Sequence, residues 1–305
     1  MPDAIYNDSK RRHDFVLLFD VTDGNPNGDP EAENLPRVDP ETMHGLVTDV
    51  CLKRKVRNYV DVTKGTQQRF KIYVQDKGVA LNTLHERAYS DLGLKSTGSK
   101  QKRLDVEKAK EWMCENFYDI RTFGAVMSTE VNCGQVRGPL QLTFARSIDP
   151  VIPLEVSITR VAITRQQDAE VAAKEAGEEE GKGKRTEMGH KALVPYGLYR
   201  SHGFYNPFFA QNTKFDDQDL TIFWEALEKI WDLDRSAARG LMAWRGLYVF
   251  SHAGALGNAP AHVLFDRISV KRRADVEAPR FFSDYEVEIN GQNLPSGITL
   301  TRLVG

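Results

Sequence analysis

The sequence predicts an α+β fold, and three segments carry that prediction. Residues 13–21 (HDFVLLFDV) contain an unbroken apolar run that is typical of a buried central strand. Residues 220–231 place large apolar side chains at helical spacing, and residues 247–252 return to a strand-like pattern. The chain therefore runs strand, helix, strands, helix, strands, an order that favours a sheet packed against helices.

Composition narrows the class of protein. Of the 305 residues, 41% are hydrophobic and 10% aromatic, which excludes global disorder and allows one large domain with insertions or two small ones. No apolar run approaches the roughly 18–20 residues of a membrane span, and residues 1–15 lack the apolar stretch of a signal peptide. Cys51, Cys114 and Cys133 lie far apart and lack zinc-site spacing, which indicates reduced thiols in a cytosolic protein.

A loop and then a helix are predicted after the first strand. The segment DGNPNGDPEAENLPRVD is crowded with Gly, Pro, Asn and Asp, which is typical of a loop. Asp39 and Pro40 match the N-cap and first position of a helix. The apolar stripe of that helix comprises Met43, Leu46, Val47 and Val50. A basic cluster, residues 53–57 (KRKVR), comes next on the same helix.

The rest of the chain adds two insertions and further strands. Residues 61–118 are polar and charged, and predict a mostly helical insertion with little core of its own. Strands resume at residue 119, with Leu140, Leu142 and Phe144 alternating with polar residues. Residues 166–184 are charged and almost free of large apolar side chains, which predicts an exposed loop or hairpin tip. A final strand is predicted over 262–271, and a ferredoxin-like or RRM-like sheet fits the whole order.

One segment matches half of a metal-binding motif. Residues 23–28 (DGNPNG) reproduce the start of an EF-hand calcium loop, including its glycine. The twelfth position is Asn34 where a glutamate is needed, Pro26 and Pro30 interrupt the loop, and a strand precedes it. A turn-rich connection explains the same residues better, so no metal or other cofactor is predicted.

The carboxylates of this loop leave an enzymatic alternative open. Asp23, Asp29 and Asp39 precede the basic cluster, an arrangement that is compatible with a metal-assisted phosphodiesterase. His44 is the one nearby candidate for acid–base work. The chain has no G-x-x-x-x-G-K-[ST], G-x-S-x-G or H-E-x-x-H motif. We therefore expect no catalytic residues and keep the ribonuclease as the rival hypothesis.

The basic cluster is the main candidate for a polyanion site. Cations near a helix C-terminus are also favoured by the helix dipole and by solvation, so the cluster alone leaves both interpretations open. Thr42 and His44, at the predicted start of the same helix, and Arg37 ahead of it would suit a phosphate at unpaired N–H groups. A protein that binds free nucleic acid by charge alone is usually far more basic than this chain, whose net charge is −2. A polyanion site therefore requires that the cations cluster in one place while the acidic residues lie elsewhere.

Two further segments admit two interpretations each. Met127, beside Phe123 and Gly124, either wedges between nucleic-acid bases or packs in a core. Residues 253–260 (AGALGNAP) form either an anion-binding nest of N–H groups or a plain tight turn. Tyr196, Trp224 and Trp231 are expected in the core.

Several longer strings together resemble one known family. They occur in the family's order from about residue 14 to at least 270, and they are FDVTDGNPNGDP, LPRVDPETMHGLVTDVCLKRKVRNYV, RTFGAVMS, GPLQLTFARSIDPV and MGHKALVPYGLYRSHGFYNP. The chain resembles the backbone subunit of the type I-C Cascade complex, a member of the repeat-associated RNA-binding (RAMP) superfamily. Agreement of several long, unusual strings is far more specific than any single motif above.

The resemblance implies a fold with named parts. It implies an RRM-like (ferredoxin-like) palm over 1–60 and 119–305, a helical finger insertion over 61–118 and a protruding thumb over 155–187. It also implies a non-catalytic, cytoplasmic subunit with no cofactor and no membrane contact. The implied partners are guide (CRISPR) RNA, target DNA that pairs with the guide, copies of the chain stacked head-to-tail into a helical filament, and the other Cascade subunits.

The resemblance also implies which residues contact RNA. By position these are Asn25, Arg37, Thr42, His44, Lys53, Arg57, Met127, Gln135, Arg137 and Gln141. Backbone subunits of the related type III complexes cut RNA with an aspartate in the loop after the first strand, whereas type I subunits do not. A ribonuclease and a purely protein-binding scaffold therefore remain the competing hypotheses.

Overall fold

The computed structural model describes residues 4–98, 100–160 and 187–304. The helices are α1 (Asp49–Lys64), α2 (Leu81–Asp91), α3 (Arg103–Asn116), α4 (Tyr118–Phe123), α5 (Pro207–Thr213), α6 (Asp217–Leu233) and α7 (Ala261–Phe265). The strands are β1 (His13–Gly24), β2 (Gly28–Asp29), β3 (Leu35–Pro36), β4 (His44–Val47), β5 (Gly124–Ser128), β6 (Asn132–Arg137), β7 (Leu140–Leu142), β8 (Ala145–Pro150), β9 (Leu154–Arg160), β10 (Glu187–Tyr205), β11 (Leu241–His252), β12 (Ile268–Arg272), β13 (Tyr285–Ile289) and β14 (Ile298–Val304).

The central sheet is antiparallel throughout its described pairings. Its strands lie in the order β14-β11-β1-β10-β8-β4, and β7 and β9 also pair with β10. The elements β1, α1, β8, β10, α6 and β11 succeed one another as β-α-β-β-α-β, with the last strand beside the first. This connectivity is ferredoxin-like, and it confirms the predicted α+β class.

Strand β1 is buried on both faces, which explains its unbroken apolar run. Phe15, Leu17 and Phe19 pack into the core shared with α1 and α6. Val16 and Leu18 point to the other face, where a second cluster includes residues of α7 and of the β12–β13 hairpin. The predicted apolar stripe of α6 is confirmed, since all its members are buried: Leu220, Phe223, Trp224, Leu227, Ile230 and Trp231.

The insertion between α1 and β7 differs from the prediction. Helix α1 continues to Lys64, so the insertion begins a few residues later than 61. It also continues beyond 118, because the β5–β6 hairpin shares its packing. Its side chains form a separate core from Tyr73 to Cys133, so the expectation of little core of its own was wrong. We refer to residues 65–137 as the insertion.

The base of the predicted thumb is a two-stranded extension of β10. Glu187–Leu193 pair with β9, and the next residue, Val194, pairs with Gly24 of β1. One strand therefore serves the hairpin and the central sheet in succession. Residues 161–186, which make up most of the predicted thumb, lie outside the described residues.

Three smaller predictions are settled by the structure. Tyr196, Trp224 and Trp231 are buried, as expected. The strand predicted over 262–271 is instead the short helix α7 followed by β12. Cys51, Cys114 and Cys133 are free thiols. Among the helices of the described residues, none is both long enough and apolar enough to cross a membrane.

Candidate nucleic-acid interface

The loop between β1 and α1 folds over the start of that helix. Asn27 Oδ1 accepts hydrogen bonds from the backbone N–H of Thr48 (2.9 Å) and from its hydroxyl (3.0 Å). The hydroxyl oxygen of Thr48 accepts in turn from the N–H of Cys51 (3.2 Å) and caps the helix. Asn25 Nδ2 donates to the carbonyl of Asn34 (2.6 Å) and ties the loop to itself. Asn25 therefore stabilises the loop.

The first helix begins at Asp49, and the start predicted at Asp39 was wrong. The Asp39 carboxylate does accept from N–H groups two and three residues ahead, as an N-cap would. The chain then leaves the helical path, because Met43 has a φ of +56°. His44–Val47 instead form an edge strand on β8. Local side-chain bonding at Asp39 thus closes a turn, and pairing with the sheet determines the conformation of residues 44–47.

This correction moves three of the predicted contact residues off the helix. Arg37 lies in the loop and pairs with Asp29 at 3.1 Å between Nη1 and Oδ2. Thr42 is exposed in the turn, and His44 begins β4. The unpaired helical N–H groups from which a phosphate site was predicted are therefore not formed at these residues, and their contact with RNA stays a prediction. The first turn of α1 is formed by residues 49–52 instead.

Lys53 and Gln141 come together at the outer start of α1. Lys53 Nζ donates to Asp49 Oδ2 (2.9 Å) and to Gln141 Oε1 (3.2 Å), and it lies 5.7 Å from the centre of the Phe123 ring. Gln141 Nε2 donates to the carbonyl of Phe123 at 3.2 Å. Two predicted contact residues that are 88 positions apart in the sequence thus share one hydrogen bond on a partly exposed surface.

Arg57 lies in the interior, contrary to the expectation of a phosphate contact. The residue is 8% exposed, and its Nε donates to Asp119 Oδ2 at 2.8 Å. The same carboxylate accepts from the backbone N–H groups of Tyr73 and Val74. Three donors around one buried carboxylate make Arg57 an anchor between α1 and the insertion. A phosphate contact needs this side chain at the surface, where the structure does not put it.

Met127 is likewise buried, and it packs in the core of the insertion. Of the two interpretations, core packing is therefore correct. Gln135 and Arg137 are exposed on the neighbouring strand β6. The Arg137 guanidinium lies 4.3 Å from the centre of the Phe209 ring of α5. Both residues line a cleft with side chains of α3 and α5, and Arg137 pairs with Gly124, which comes directly after Phe123.

Two glycines, Gly124 and Gly138, allow the β5–β6 hairpin to pack closely against the segment before β7. Gly124 has a φ of +82°, and a Cβ on it would lie 2.4 Å from the carbonyl oxygen of Val136. A Cβ on Gly138 would lie 2.4 Å from the backbone nitrogen of Gly124. The two chain segments therefore approach backbone to backbone, which only glycine permits. This contact brings the β5–β6 hairpin against the segment that carries Gln141.

Sequence reasoning missed two exposed residues beside Gln141. Phe144 continues the alternation of Leu140 and Leu142 in the sequence, but it is 51% exposed, because β7 ends at Leu142 and the alternation breaks before β8 begins. Arg146 is exposed and donates to Asp39 Oδ2 at 2.7 Å. That hydrogen bond, together with N–H groups of the turn, lowers the pKa of Asp39. No signal in the sequence marks this break, because Phe144 continues the regular alternation of Leu140 and Leu142 with polar residues.

The loop over residues 253–260 uses N–H groups near both of its ends for internal hydrogen bonds, which argues against the anion nest. The N–H of Ala253 donates to Asn258 Oδ1 (2.9 Å) and to the carbonyl of Gly297 (2.7 Å). The N–H of Asn258 donates to His252 Nδ1 at 2.7 Å. These donors are used internally, so they do not converge on a ligand.

The carboxylates of the β1–α1 loop do not gather around one point. Asp29 faces Arg37 and Asp39 faces Arg146, whereas Asp23 is exposed. Over residues 4–98, 100–160 and 187–304, no group of three or more His, Cys, Asp or Glu side chains is placed to hold a metal ion. The arrangement of cations, amides and an exposed aromatic ring suits the backbone and bases of a single-stranded polynucleotide.

Comparisons with known proteins give the family. The family model of the CRISPR-associated protein Cas7 matches residues 11–290. A CRISPR-associated protein Cas7 from Haloferax volcanii is 25% identical over 242 residues, which cover 71% of this chain and 64% of that protein. The chain thus spans less than two thirds of the length of this relative.

The fold also matches a solved assembly. A chain of a structure described as a CRISPR RNA-guided surveillance complex, pre-nicking, superimposes with a TM-score of 0.50 at 13% identity, and the match covers 78% of each chain. At this identity the likeness concerns the fold. The family model covers most of the sequence, and on that basis the chain belongs to the Cas7 family of CRISPR-associated proteins.

Proposed function

We propose that this chain is a non-catalytic subunit that coats guide CRISPR RNA in a type I-C interference (Cascade) complex. Copies stack head-to-tail along the RNA in the cytoplasm, contact the other Cascade subunits, and leave bases free to pair with target DNA. Membership of the Cas7 family supports this proposal, and so does the type I-C resemblance of the strings that form the β1–α1 loop, the start of α1 and the Gln141 segment.

One observation carries the RNA-binding part of the proposal. Lys53 and Gln141 share a hydrogen bond at the start of α1, with the exposed residues Gln135, Arg137 and Phe144 on neighbouring segments. The ammonium of Lys53 has three donors, and Asp49 accepts from one of them, so a phosphate oxygen can join or replace the Gln141 amide as a further acceptor. The neighbouring amides and the ring then serve sugars and bases.

The test is the affinity for unrelated single-stranded RNAs at several salt concentrations. We expect log K to fall with log salt by about 0.7 for each phosphate neutralised, and Lys53→Ala to weaken all sequences about equally while reducing that slope. Lys271→Ala is the matched control, because this exposed lysine lies on β12 and pairs with Glu288. An unchanged affinity in Lys53→Ala, or a loss confined to one RNA sequence, contradicts the proposal.

The absence of catalysis has its own test. The assembled complex is incubated with RNA complementary to the guide and with Mg²⁺. We expect the RNA to stay intact. Cleavage at regular intervals that is abolished by Asp23→Ala or Asp29→Ala would instead establish the ribonuclease. Purification without any guide-sized RNA, after expression with a CRISPR array, would favour the protein-binding scaffold.

A further inference from the structure

A cleft of about 340 Å³ lies where the insertion meets α5. Gln135 and Arg137 of β6 form one wall, α3 forms the second, and Phe209 of α5 belongs to the third. Gln141 Nε2 donates to the carbonyl of Gly138 at 3.4 Å, and Gly138 directly follows Arg137 in the chain. One wall of the cleft is therefore continuous with the segment that contacts Gln141 in the candidate interface.

Arg137 and Phe209 form a stack in this cleft. The guanidinium carbon of Arg137 lies 4.3 Å from the centre of the Phe209 ring, so the ring covers one face of the planar group. Arg137 is exposed, and among the described residues no carboxylate pairs with it. A second planar group can therefore stack on the face that is turned away from Phe209.

Two side-chain amides line the cleft beside this stack. Gln135 and Asn212 are both exposed, and neither amide has a hydrogen-bond partner within the part of the chain that the structure describes. Each amide offers a carbonyl acceptor and an NH₂ donor. Together they suit a flat ligand whose edge carries both donors and acceptors.

The charges of the lining cancel. Glu107 and Glu111 of α3 stand against Lys110 and Arg137, which gives a net charge of zero. Lys110 pairs with Glu107, so its charge is already compensated. A phosphate gains little from such a lining and is repelled by Glu111, whereas an uncharged planar group is not.

We propose that this cleft receives an unpaired base of the single-stranded RNA, stacked on Arg137 with its edge on Gln135 and Asn212. The inference rests on the proposed function and adds a base-stacking position that includes Phe209 and Asn212. Amides can match the edge of any base, so the contact tolerates sequence, as a coat requires. An aromatic side chain of a partner protein would also stack, but it lacks the polar edge that two amides require.

The test compares two strands of equal length in anisotropy titrations of the full chain. One is oligouridylate, and the other is the same ribose–phosphate strand without bases. Both carry the same phosphates, so their difference in affinity reports the bases alone. We expect the unmodified chain to bind oligouridylate about tenfold more tightly than the abasic strand.

Arg137→Lys assigns this difference to the cleft. Lysine keeps the positive charge and removes the planar stacking surface. We expect about tenfold weaker binding of oligouridylate and unchanged binding of the abasic strand. Arg87→Lys, at an exposed arginine of α2, is the matched control and should bind both strands like the unmodified chain.

Phe209→Leu tests the support beneath Arg137. We expect it to weaken oligouridylate binding selectively, as Arg137→Lys does. Phe208→Leu is the matched control, because Phe208 is the preceding residue of α5 and lines a different cleft. Circular dichroism checks that each variant is folded.

The outcomes separate this inference from the proposed function. Failure of the unmodified chain to bind either strand contradicts the proposed function, and the base site with it. Equal affinities for the two strands leave the RNA coat standing, overturn the base site and favour a partner protein as the occupant. A loss in Arg137→Lys that is equal for both strands, or equal losses in Phe209→Leu and Phe208→Leu, also overturns it.

Discussion

Arg121 and Asp219 form an ion pair whose two side chains are both 0% exposed. The guanidinium donates through Nε to Oδ2 and through Nη2 to Oδ1, each at 2.8 Å. Arg121 belongs to α4 in the insertion, and Asp219 belongs to the first turn of α6 under the central sheet. Arg69 adds a third hydrogen bond to the same carboxylate at 2.8 Å. This pair and the Arg57–Asp119 pair fix the insertion to the helices of the sheet.

Removal of Arg121 should be strongly destabilising. Arg121→Met leaves the Asp219 carboxylate buried without the two hydrogen bonds and the positive charge that Arg121 supplies. We therefore expect the free energy of unfolding to fall by about 3–5 kcal/mol. Urea denaturation measures it. Arg235→Met is the control, because Arg235 and its partner Asp232 are both exposed and such pairs contribute at most about 1 kcal/mol. Equal losses in the two variants would contradict the anchoring role.

Two buried tyrosines should respond to the same substitution with opposite signs. The hydroxyl of Tyr199 has no hydrogen-bond partner within the described part of the chain, whereas that of Tyr205 donates to the carbonyl of Ser9 at 2.9 Å. We expect Tyr199→Phe to raise the free energy of unfolding by about 1 kcal/mol and Tyr205→Phe to lower it by about 1 kcal/mol. Denaturant titrations of both variants compare them directly, and a loss in Tyr199→Phe would show that its hydroxyl has a partner.

Stability should fall as the pH drops below about 6.5, in part through His13. Burial lowers the pKa of His13 to about 4, against the opposing hydrogen bond to the carbonyl of Asp8. The unfolded chain binds this proton at about pH 6.5 and the native state only at about pH 4. The unfolded state therefore holds more protons between these pH values, and the free energy of unfolding decreases there by up to about 3 kcal/mol.

His13→Gln tests this pH dependence. Its unfolding free energy should change less between neutral pH and about pH 4 than that of the unmodified chain. His190→Gln is the control, because His190 is exposed on β10. An identical pH dependence in His13→Gln and His190→Gln would assign the effect to other groups.

Phe144 should contribute to RNA affinity under the proposed function. An aromatic ring that stacks on a base typically contributes about 1–3 kcal/mol, so Phe144→Ala should weaken single-stranded RNA binding by about tenfold. Phe281→Ala is matched in chemistry, since this phenylalanine is also exposed but lies in the loop before β13. Fluorescence anisotropy with labelled RNA compares the two. Equal affinities would remove Phe144 from the interface.

The elements with strong periodicity were predictable from the sequence. Strand β1 and helix α6 bury nearly every apolar side chain that their patterns assign to the core. A long run of regularly spaced apolar residues fits only one type of secondary structure, so both elements could be assigned. The ferredoxin-like order could be inferred from these elements. The Asp39–Pro40 signal failed, because the same local hydrogen bonds that cap a helix also close a turn, and the pairing of His44–Val47 with β8 is a long-range contact.

The candidate site was predictable only in part. Lys53 and Gln141 share a hydrogen bond, and Gln135 and Arg137 are exposed, whereas the contact of all four with RNA stays a prediction. Arg57 was misjudged because its partner Asp119 is 62 residues away, and a basic side chain in a sequence does not reveal a distant carboxylate. The burial of Met127 and the exposure of Phe144 could not be predicted from the sequence, since the core of the insertion and the end of β7 are both set by tertiary packing.

Strand β10 has a mechanical consequence for the hairpin that it forms with β9. Leu193 of β10 pairs with Leu154 of β9, and the next residue, Val194, pairs with Gly24 of β1. At about 3.3 Å per residue, the 19 residues of β10 form a strand roughly 60 Å long. Because one strand carries both ladders, we expect a pull on the hairpin to reach the hydrogen bonds between β10 and β1.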